Sequence, residues 1–370
     1  MGMRNPFSPS FGATPPNIFG RTKELNSFKE ALQEGPGSPG RAMLFTGARG
    51  MGKTVLLNEI ENIARDHGWA TISETATPGV AQRLQETYLP LALDNWGKRS
   101  PKSHITSVSV TGLGSLARSI SEQPPVVPTL RLLLGEVLDV LEEHSSGLLI
   151  TLDEVHRENL DDLREIATAI QHLFREGRNI MFVAAGLPHA IHDLLNDNVL
   201  TFLRRAERYS LGLLSPQARH NAFVEAFAGS GKTISPEAVE RAARASQGYP
   251  YLIQLLGYHA WRLSANNPQV DTATVEEAIQ VSRSKLTYLV HEPALSALSH
   301  GDMEFLRAMT HDKGESKIAE IAGRLGKTVQ EISVYRQRLL KAEVIASTGH
   351  GKLSFVLPYM QEFITQEFAE

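Results

Sequence analysis

Residues 47–54 read Gly-Ala-Arg-Gly-Met-Gly-Lys-Thr, which are the residue types and the spacing of a loop that binds phosphate. The glycines let the backbone wrap so closely that its N–H groups point at phosphate oxygens. Lys53 is predicted to reach the β- and γ-phosphates of a nucleotide, and the Thr54 hydroxyl to ligate Mg²⁺. A helix is predicted to start at Lys53, so that its positive dipole end faces the anion. The predicted contacts to the nucleotide are Gly47, Ala48, Arg49, Gly50, Met51, Gly52, Lys53, Thr54 and Val55.

Two adjacent carboxylates form a second candidate group. Asp153 and Glu154 follow residues 147–152, an apolar run that is typical of a strand buried on both faces. Ligands of an open α/β sheet lie at the carboxyl ends of its strands, so we expect this pair at such an edge. We predict that Asp153 holds Mg²⁺ beside Thr54, directly or through water, and that Glu154 deprotonates the attacking water. The alternative is that both residues only cap the strand or the following helix.

The scaffold is predicted from strand and helix patterns that alternate between residues 17 and 214. They indicate an α/β fold, a three-layer αβα phosphate-loop core with a mostly parallel sheet. The loop lies between a predicted strand at 41–46 and a predicted helix at 53–67. The long interval before Asp153 leaves room for a further strand between the two motifs in the sheet. Residues 97–127, in which Ser, Gly and Pro are frequent, are interpreted as an inserted hairpin or mobile loop, either with a role or tolerated at the surface.

The chain divides into four predicted parts. Residues 1–16, rich in Pro, Ser and Gly, indicate a flexible N-terminal arm that precedes the core at 17–214. Only helices are predicted over 215–291, where Ser-Pro pairs mark helix starts, and these form a helical lid. Residues 292–370 are predicted to form helices, a short turn and a two-stranded hairpin, the pattern of a winged helix-turn-helix domain.

The composition excludes several classes of protein. The 370 residues include no cysteine, which excludes disulfides and cysteine chemistry. The net charge of −4 gives no overall attraction to nucleic acid or to anionic membranes, so any such binding needs a local patch. No apolar run reaches about 18 residues, so we expect no membrane span and predict a cytoplasmic protein.

With these motifs, the sequence resembles the AAA+ ATPases over nearly its whole length, in the branch of origin-recognition and initiator proteins. Residues 18–25, Ile-Phe-Gly-Arg-Thr-Lys-Glu-Leu, resemble the family segment that lies against adenine, which implies contacts from Phe19 and Arg21. Residues 248–255 resemble the start of the lid helix, which implies a contact from Pro250. The resemblance implies ATP and Mg²⁺ as cofactors, with hydrolysis to ADP and phosphate.

The sequence departs from the family in its sensors. The family often has a polar first sensor after the fourth strand, but residues 183–188 offer no polar side chain there. The start of the lid helix lacks an arginine second sensor, and Arg262 lies about three turns further on. We therefore expect slow turnover. The resemblance also implies an arginine finger, for which Arg205 is preferred over Arg204 and Arg208, the alternative being a solvated or ion-paired cluster.

Residues 229–233, Gly-Ser-Gly-Lys-Thr, imitate a second phosphate loop. The first required glycine would fall on Ala226, and no predicted strand precedes it. We therefore interpret this segment as the end of a helix and a turn.

The C-terminal domain carries candidate contacts to DNA. Residues 327–341, around the predicted recognition helix at 329–341, include four basic residues and one acidic residue. The whole of 299–370 nevertheless has nine Lys and Arg against ten Asp and Glu, a net charge of −1. Winged helices also dock onto proteins, so DNA binding and protein docking both stay open. The candidate DNA contacts are Lys327, Thr328, Arg336, Arg338 and Lys352.

Two hypotheses of function follow. The first is an AAA+ ATPase that acts as a nucleotide-controlled switch on duplex DNA, as a homo-oligomer or with a partner ATPase, and away from membranes. The second is a signalling or scaffold ATPase similar to the STAND proteins, whose winged helix makes intramolecular or protein contacts.

Overall fold

The computed structural model describes residues 4–10, 15–97, 128–198, 200–265 and 267–367. They form two compact units. The first, which we call the sheet unit, comprises Lys23–Thr46 and Leu56–Ser210. The second, the helical unit, comprises Met1–Thr22, Gly47–Val55 and Leu211–Glu370 as far as these residues are described. Most of the insertion predicted at 97–127 lies outside the described residues.

The sheet unit contains five strands in the order β2-β3-β4-β1-β5, and every neighbouring pair is parallel. The strands are β1 (Ala42–Thr46), β2 (Ala70–Thr75), β3 (Leu148–Val155), β4 (Ile180–Gly186) and β5 (Glu207–Ser210). A strand was predicted between the phosphate-loop strand and the strand that carries the carboxylates, and β4 occupies this position. The predicted α/β class is therefore confirmed.

The helices of this part of the chain cover the sheet with apolar faces. β4 is buried along its whole length, as expected for a parallel strand with helices on both faces. α6 buries six apolar residues at helical spacing. These helices are α1 (Thr22–Glu34), α2 (Lys53–Asp66), α3 (Val80–Arg83), α4 (Leu89–Gly97), α5 (Leu130–Glu143), α6 (Leu160–Arg175) and α7 (Pro188–Asn196), with a π-helical turn at Leu84–Tyr88 joining α3 to α4.

Three helices of the helical unit start where their caps predict. Ser215 and Ser235 accept hydrogen bonds from main-chain N–H groups in the first turns of α8 and α9, and Asp271 does so for α11. The elements are α8 (Pro216–Ala228), β6 (Thr233–Ile234), α9 (Pro236–Ala245), α10 (Pro250–Leu263), β7 (Gln269–Val270), α11 (Thr272–Leu286) and α12 (Glu292–Leu295).

Part of the N-terminal segment packs on these helices. Residues 4–10, assigned from sequence to a flexible arm, bury the ring of Phe7 to 3% exposure among Phe223 and Phe227. The Ser8 N–H also donates to the Gln254 side chain at 2.9 Å. The expectation of a flexible arm is therefore wrong for these residues. Composition alone does not show that Phe7 packs into an apolar site on the helices.

The C-terminal segment, residues 300–367, combines helices with a small antiparallel sheet of order β8-β10-β9. α15 starts at Ser333 and not at 329 as predicted, because Thr328 and Glu331 cap each other in a separate turn. The elements are α13 (His300–Thr310), β8 (Ser316–Lys317), α14 (Ile318–Arg324), α15 (Ser333–Lys341), β9 (Ile345–Gly349), β10 (Lys352–Phe355) and α16 (Met360–Glu367). Across the described ranges, no helix has both the length and the apolar character needed to cross a membrane.

Candidate functional site

In the phosphate loop, residues 47–52, the surroundings of two of the three glycines leave no space for a side chain. A Cβ atom on Gly47 would lie 2.7 Å from the carbonyl oxygen of Leu211. Gly50 has a φ of +76°, and a Cβ atom there would lie 2.0 Å from the Tyr249 hydroxyl oxygen. The glycine pattern read from the sequence therefore reflects close packing as well as backbone conformation.

Lys53 opens α2 and holds its ammonium group on the loop. Its Nζ donates hydrogen bonds to the carbonyl oxygens of Gly47 at 2.6 Å and Ala48 at 3.1 Å. The positive charge therefore lies within the loop that the sequence assigns to phosphate, beside the N-terminal end of a helix.

Two residues far from the loop in sequence brace its backbone. Arg21 is 8% exposed and donates to the carbonyl oxygens of Met51 at 3.2 Å and Gly212 at 2.8 Å. Tyr249 is 1% exposed, and its hydroxyl donates to the Arg49 carbonyl at 3.0 Å. Burial raises the pKa of Tyr249, so its hydroxyl remains a proton donor throughout the neutral range.

A carboxylate from the C-terminal segment reaches the same loop. Glu343 Oε2 accepts a hydrogen bond from the Arg49 N–H at 3.3 Å. Glu343 follows α15 with a φ of +57°, and its Oε1 atom is buried without a hydrogen-bond partner among the described residues. Burial raises the pKa of Glu343, although the charges of Lys53 and Arg49 and the Arg49 N–H oppose that shift.

The candidate catalytic carboxylates lie in the sheet unit at an irregular end of β3. The parallel register with β4 shifts between Leu152 and Val155, so Asp153 and Glu154 form a bulge. Glu154 has a φ of +54°, which is uncommon for a residue with a side chain, and its N–H donates to Asp153 Oδ1 at 2.8 Å. The bulge leaves Glu154 exposed and Asp153 half-buried, so the strand ends by presenting Glu154 to solvent.

The register shows which strand ends share one edge of the sheet. Thr46, the last residue before the phosphate loop in sequence, pairs with Gly186 of β4 and Ser210 of β5. Asp153 pairs with Thr75 of β2. The strand that leads to the loop and the strand that carries the carboxylates therefore end on the same edge, with β4 between them.

The resemblance also implied adenine contacts and two sensors, and the structure shows the surroundings of these positions. Phe19 is half-buried against the apolar core of the helical unit, and Pro250 is the first residue of α10. β4 ends in apolar residues and glycine. The end of this strand therefore has no polar side chain at the position expected for a first sensor. Arg262 is exposed and lies 5.6 Å over the Tyr258 ring.

The three candidate finger arginines precede or lie within the edge strand β5. Arg204 donates to the Leu195 carbonyl at 2.8 Å, which ties it to the end of α7. Arg205 and Arg208 are both exposed. Exposure leaves Arg205 available to another molecule, which is what a finger requires.

The second loop-like segment is structural. Lys232 is buried and donates to the Trp261 carbonyl, the Ser264 hydroxyl and the Ala265 carbonyl at 2.6–3.1 Å. These groups lie at the C-terminal end of α10, where free carbonyls need donors. The interpretation of this segment as a helix end and turn is thus confirmed.

The candidate DNA contacts differ in whether their charged groups are already paired within the protein. Arg338 pairs with the buried carboxylate of Asp302 at 2.9 Å, and Lys352 pairs with Glu315 at 2.9 Å, so both serve contacts inside the segment. Arg336 is half-buried, and its Nε has no hydrogen-bond partner among the residues that the structure describes.

A groove of about 830 Å³ lies beside Arg336. Its lining mixes apolar residues with basic ones, which include Lys317, His350 and Lys352. Lys327 lies outside this lining, with its ammonium 4.9 Å from the centre of the Tyr335 ring, and Thr328 caps the preceding turn.

Two residues of the site were not found from sequence. Tyr249 could have been suspected, because it immediately precedes the predicted start of the lid helix. Glu343 carries no sequence signal, since it is one of several acidic residues in its segment and lies almost 300 positions from the loop.

Comparison with known proteins supports the reading of the core. The sequence profile of the AAA ATPase domain family matches residues 17–183, and that of a domain of unknown function, DUF8462, matches residues 288–364. A search of curated protein sequences finds no significant match.

Two solved structures resemble the chain over most of its length. The Walker-type ATPase PABY2304 of Pyrococcus abyssi has a TM-score of 0.60 at 16% identity, covering 94% of this chain and 96% of that one. The Aeropyrum pernix ORC2 protein in its ADP form has a TM-score of 0.54 at 13% identity, covering 97% and 95%. At these identities the likeness concerns the fold alone. The family match identifies residues 17–183 as an AAA ATPase domain, the phosphate loop and the strand order agree with it, and the chain has the fold shared by these two proteins.

Proposed function

We propose that the protein binds ATP with Mg²⁺ at the phosphate loop and hydrolyses it to ADP and phosphate. The observation that carries this proposal is the shared sheet edge, where the strand leading to Gly47 and the strand carrying Asp153 and Glu154 both end. Phosphate-loop ATPases place nucleotide and hydrolytic carboxylate at such an edge.

Each loop residue has a role in this scheme. The main-chain N–H groups from Ala48 to Val55 and the Lys53 ammonium bind the phosphates. The Thr54 hydroxyl and the Asp153 carboxylate offer the oxygen donors that Mg²⁺ prefers, and Mg²⁺ is usually completed by substrate phosphates and water. When bound, the ion would neutralise charge on the β- and γ-phosphates.

Glu154 is the general base of the proposed hydrolysis. It accepts a proton from water as the water oxygen bonds to the γ-phosphorus and the bond to the β,γ-bridging oxygen breaks. The exposed position on the bulge suits a residue that must meet a water molecule. An arginine from another subunit, for which Arg205 is the candidate, would stabilise the transition-state charge.

The C-terminal segment has the element order of a winged helix, and we infer that it binds duplex DNA under nucleotide control. The groove beside α15 supports this inference because it brings Arg336, Lys317, His350 and Lys352 to one side of the segment. Basic side chains of this kind contact phosphates and base edges.

A second candidate function is a STAND-like signalling or scaffold switch, in which the C-terminal segment makes intramolecular contacts. Its specific support is the set of contacts inside the helical unit. The Tyr359 hydroxyl donates to the Ala245 carbonyl at 2.6 Å, and Glu343 reaches the phosphate loop.

The test combines three measurements on the full chain. Wild-type protein should bind ATP and release phosphate slowly, and Glu154→Gln should bind ATP without turnover. Undiminished hydrolysis by Glu154→Gln would show that Glu154 is not the general base. Duplex DNA should be retarded by wild-type protein and not by Arg336→Ala; if no nucleotide state retards DNA, the STAND-like candidate takes its place.

A further inference from the structure

The contact between Glu343 and the phosphate loop has the chemistry of an internal ligand. The Arg49 N–H donates to Glu343 Oε2, and this N–H belongs to the set that the proposed function assigns to phosphate. A carboxylate and a phosphate oxygen are both anionic acceptors, so they seek the same donors and the same ammonium group.

Glu343 and a nucleotide phosphate cannot both use this N–H. A main-chain N–H has one hydrogen to donate, and the nearby positive charges of Lys53 and Arg49 already favour the carboxylate. Occupation of the loop by one anion therefore excludes the other from this position.

We propose that Glu343 occupies the phosphate loop as an internal substitute for a nucleotide phosphate, so that ATP binding displaces it and frees the turn between α15 and β9. This proposal rests on the proposed function, because it assigns the regulation of the same site. The position of the α15–β9 turn in the C-terminal segment would then depend on whether the phosphate loop holds a nucleotide.

The hold is weak enough to be reversed. Only one of the two carboxylate oxygens is bonded, and Oε1 is buried without a partner among the described residues. A half-buried carboxylate with one unpaired oxygen keeps part of its desolvation cost, and its pKa is raised by that burial. A nucleotide brings several phosphate oxygens to the loop, so it replaces one poor contact by many.

The segment keeps a second anchor when Glu343 leaves. The buried His291 ring has its Nε2 atom 2.8 Å from the Pro358 carbonyl, and the Tyr359 hydroxyl bonds to Ala245. The Arg283 guanidinium lies 4.3 Å over the Tyr359 ring. These contacts do not involve the loop, so displacement of Glu343 moves the α15–β9 turn while the end near residue 359 stays attached.

The first experiment measures ATP affinity of the full chain. Glu343→Ala should bind ATP about tenfold more tightly than wild type, because the competing anion is gone. Glu343→Gln keeps the shape and an acceptor oxygen but loses the charge, so its affinity should fall between them. Glu320→Gln, the same charge change on an exposed residue of α14, should match wild type.

The second experiment follows the position of the turn. Because the chain has no cysteine, labels can be placed at Lys341→Cys and Arg262→Cys alone, and their separation measured by electron spin resonance. ATP should change this separation in the wild-type background. In the Glu343→Ala background, the changed separation should be present before ATP is added.

The outcomes separate this proposal from the proposed function. Equal ATP affinity in wild type, Glu343→Ala and Glu343→Gln, with a label separation that ATP does not alter, overturns the role of Glu343 and leaves ATP binding intact. Binding by Glu343→Ala but not by wild type supports the role in its strongest form. Absence of ATP binding by every variant overturns both proposals.

Discussion

The Tyr249 hydroxyl donates a 3.0 Å hydrogen bond to the main-chain carbonyl of Arg49, and its ring fills the space beside Gly50. Tyr249 is the residue just before α10, so the start of this helix is bonded directly to the phosphate loop. The phosphate loop and the first turn of α10 are therefore directly connected.

The tightest point of this contact is Gly50. Gly50→Ala should lower both ATP affinity and thermal stability, because its Cβ atom would lie 2.0 Å from the Tyr249 hydroxyl oxygen. Gly35→Ala is the matched control, since Gly35 has a similar positive φ but no atom within 4 Å of the added carbon. Both variants carry a backbone cost of about 1 kcal/mol, and only Gly50→Ala adds the clash. Equal losses of melting temperature in the two variants would contradict this account.

Substitution of the lysine in each of the two loop-like motifs should have a different effect, on ATP binding for Lys53 and on stability for Lys232. Lys53→Ala should abolish ATP binding with little change in melting temperature, because its hydrogen bonds to the two loop carbonyls are only part-buried. Lys232→Ala should keep ATP binding but lose about 2–3 kcal/mol of stability, since it removes three hydrogen bonds at the C-terminal end of α10. Calorimetric titration with ATP and thermal unfolding check the pair. Loss of ATP binding in a folded Lys232→Ala protein would mean that its segment serves the nucleotide after all.

Arg338 is expected to matter for folding more than for DNA. Its guanidinium holds Asp302, whose side chain is 3% exposed, and also donates to the Ser299 hydroxyl at 3.0 Å. Arg338→Ala should cost about 1–2 kcal/mol, a figure reduced because the arginine itself is half-exposed. Arg336→Ala should leave the melting temperature nearly unchanged and weaken DNA retardation. If Arg336→Ala lowered the melting temperature and Arg338→Ala weakened DNA retardation instead, the roles assigned to the two arginines would be wrong.

The C-terminal segment should lose stability in acid. The hydrogen bond and charge of Arg324 hold the pKa of Asp312 below its usual value, against the effect of burial. Burial raises the pKa of Asp302, but hydrogen bonds from Ser299 and Arg338 outweigh it and the net shift is downward.

A carboxylate with a lowered folded pKa adds stability that is complete above the unfolded pKa, near 4, and is lost as pH falls through the folded value. Melting temperature measured between pH 7 and pH 3 should therefore drop at the acid end. The drop should be smaller in Asp312→Asn, which lacks one of the titrating groups. An identical acid slope in that variant would show that Asp312 does not contribute.

Much of the fold followed from local patterns. The apolar run before Asp153, the strand before Gly47 and the serine caps of α8 and α9 each depend on residues adjacent in sequence, so these elements could be predicted. The start of α15 was placed four residues early, because helix propensity does not show that Thr328 and Glu331 close a turn of their own.

The sequence by itself determined which chemistry to expect, since the identities and spacing of the glycines, Lys53, Thr54 and the Asp-Glu pair predict a phosphate site with a hydrolytic carboxylate. Only the tertiary structure decided what surrounds them. The Glu154 bulge depends on register with β4, and the partners Tyr249 and Glu343 reach the loop from about 200 and 300 residues away. Contacts between such distant residues are set by the packing of whole elements, and packing leaves no short-range pattern in a chain.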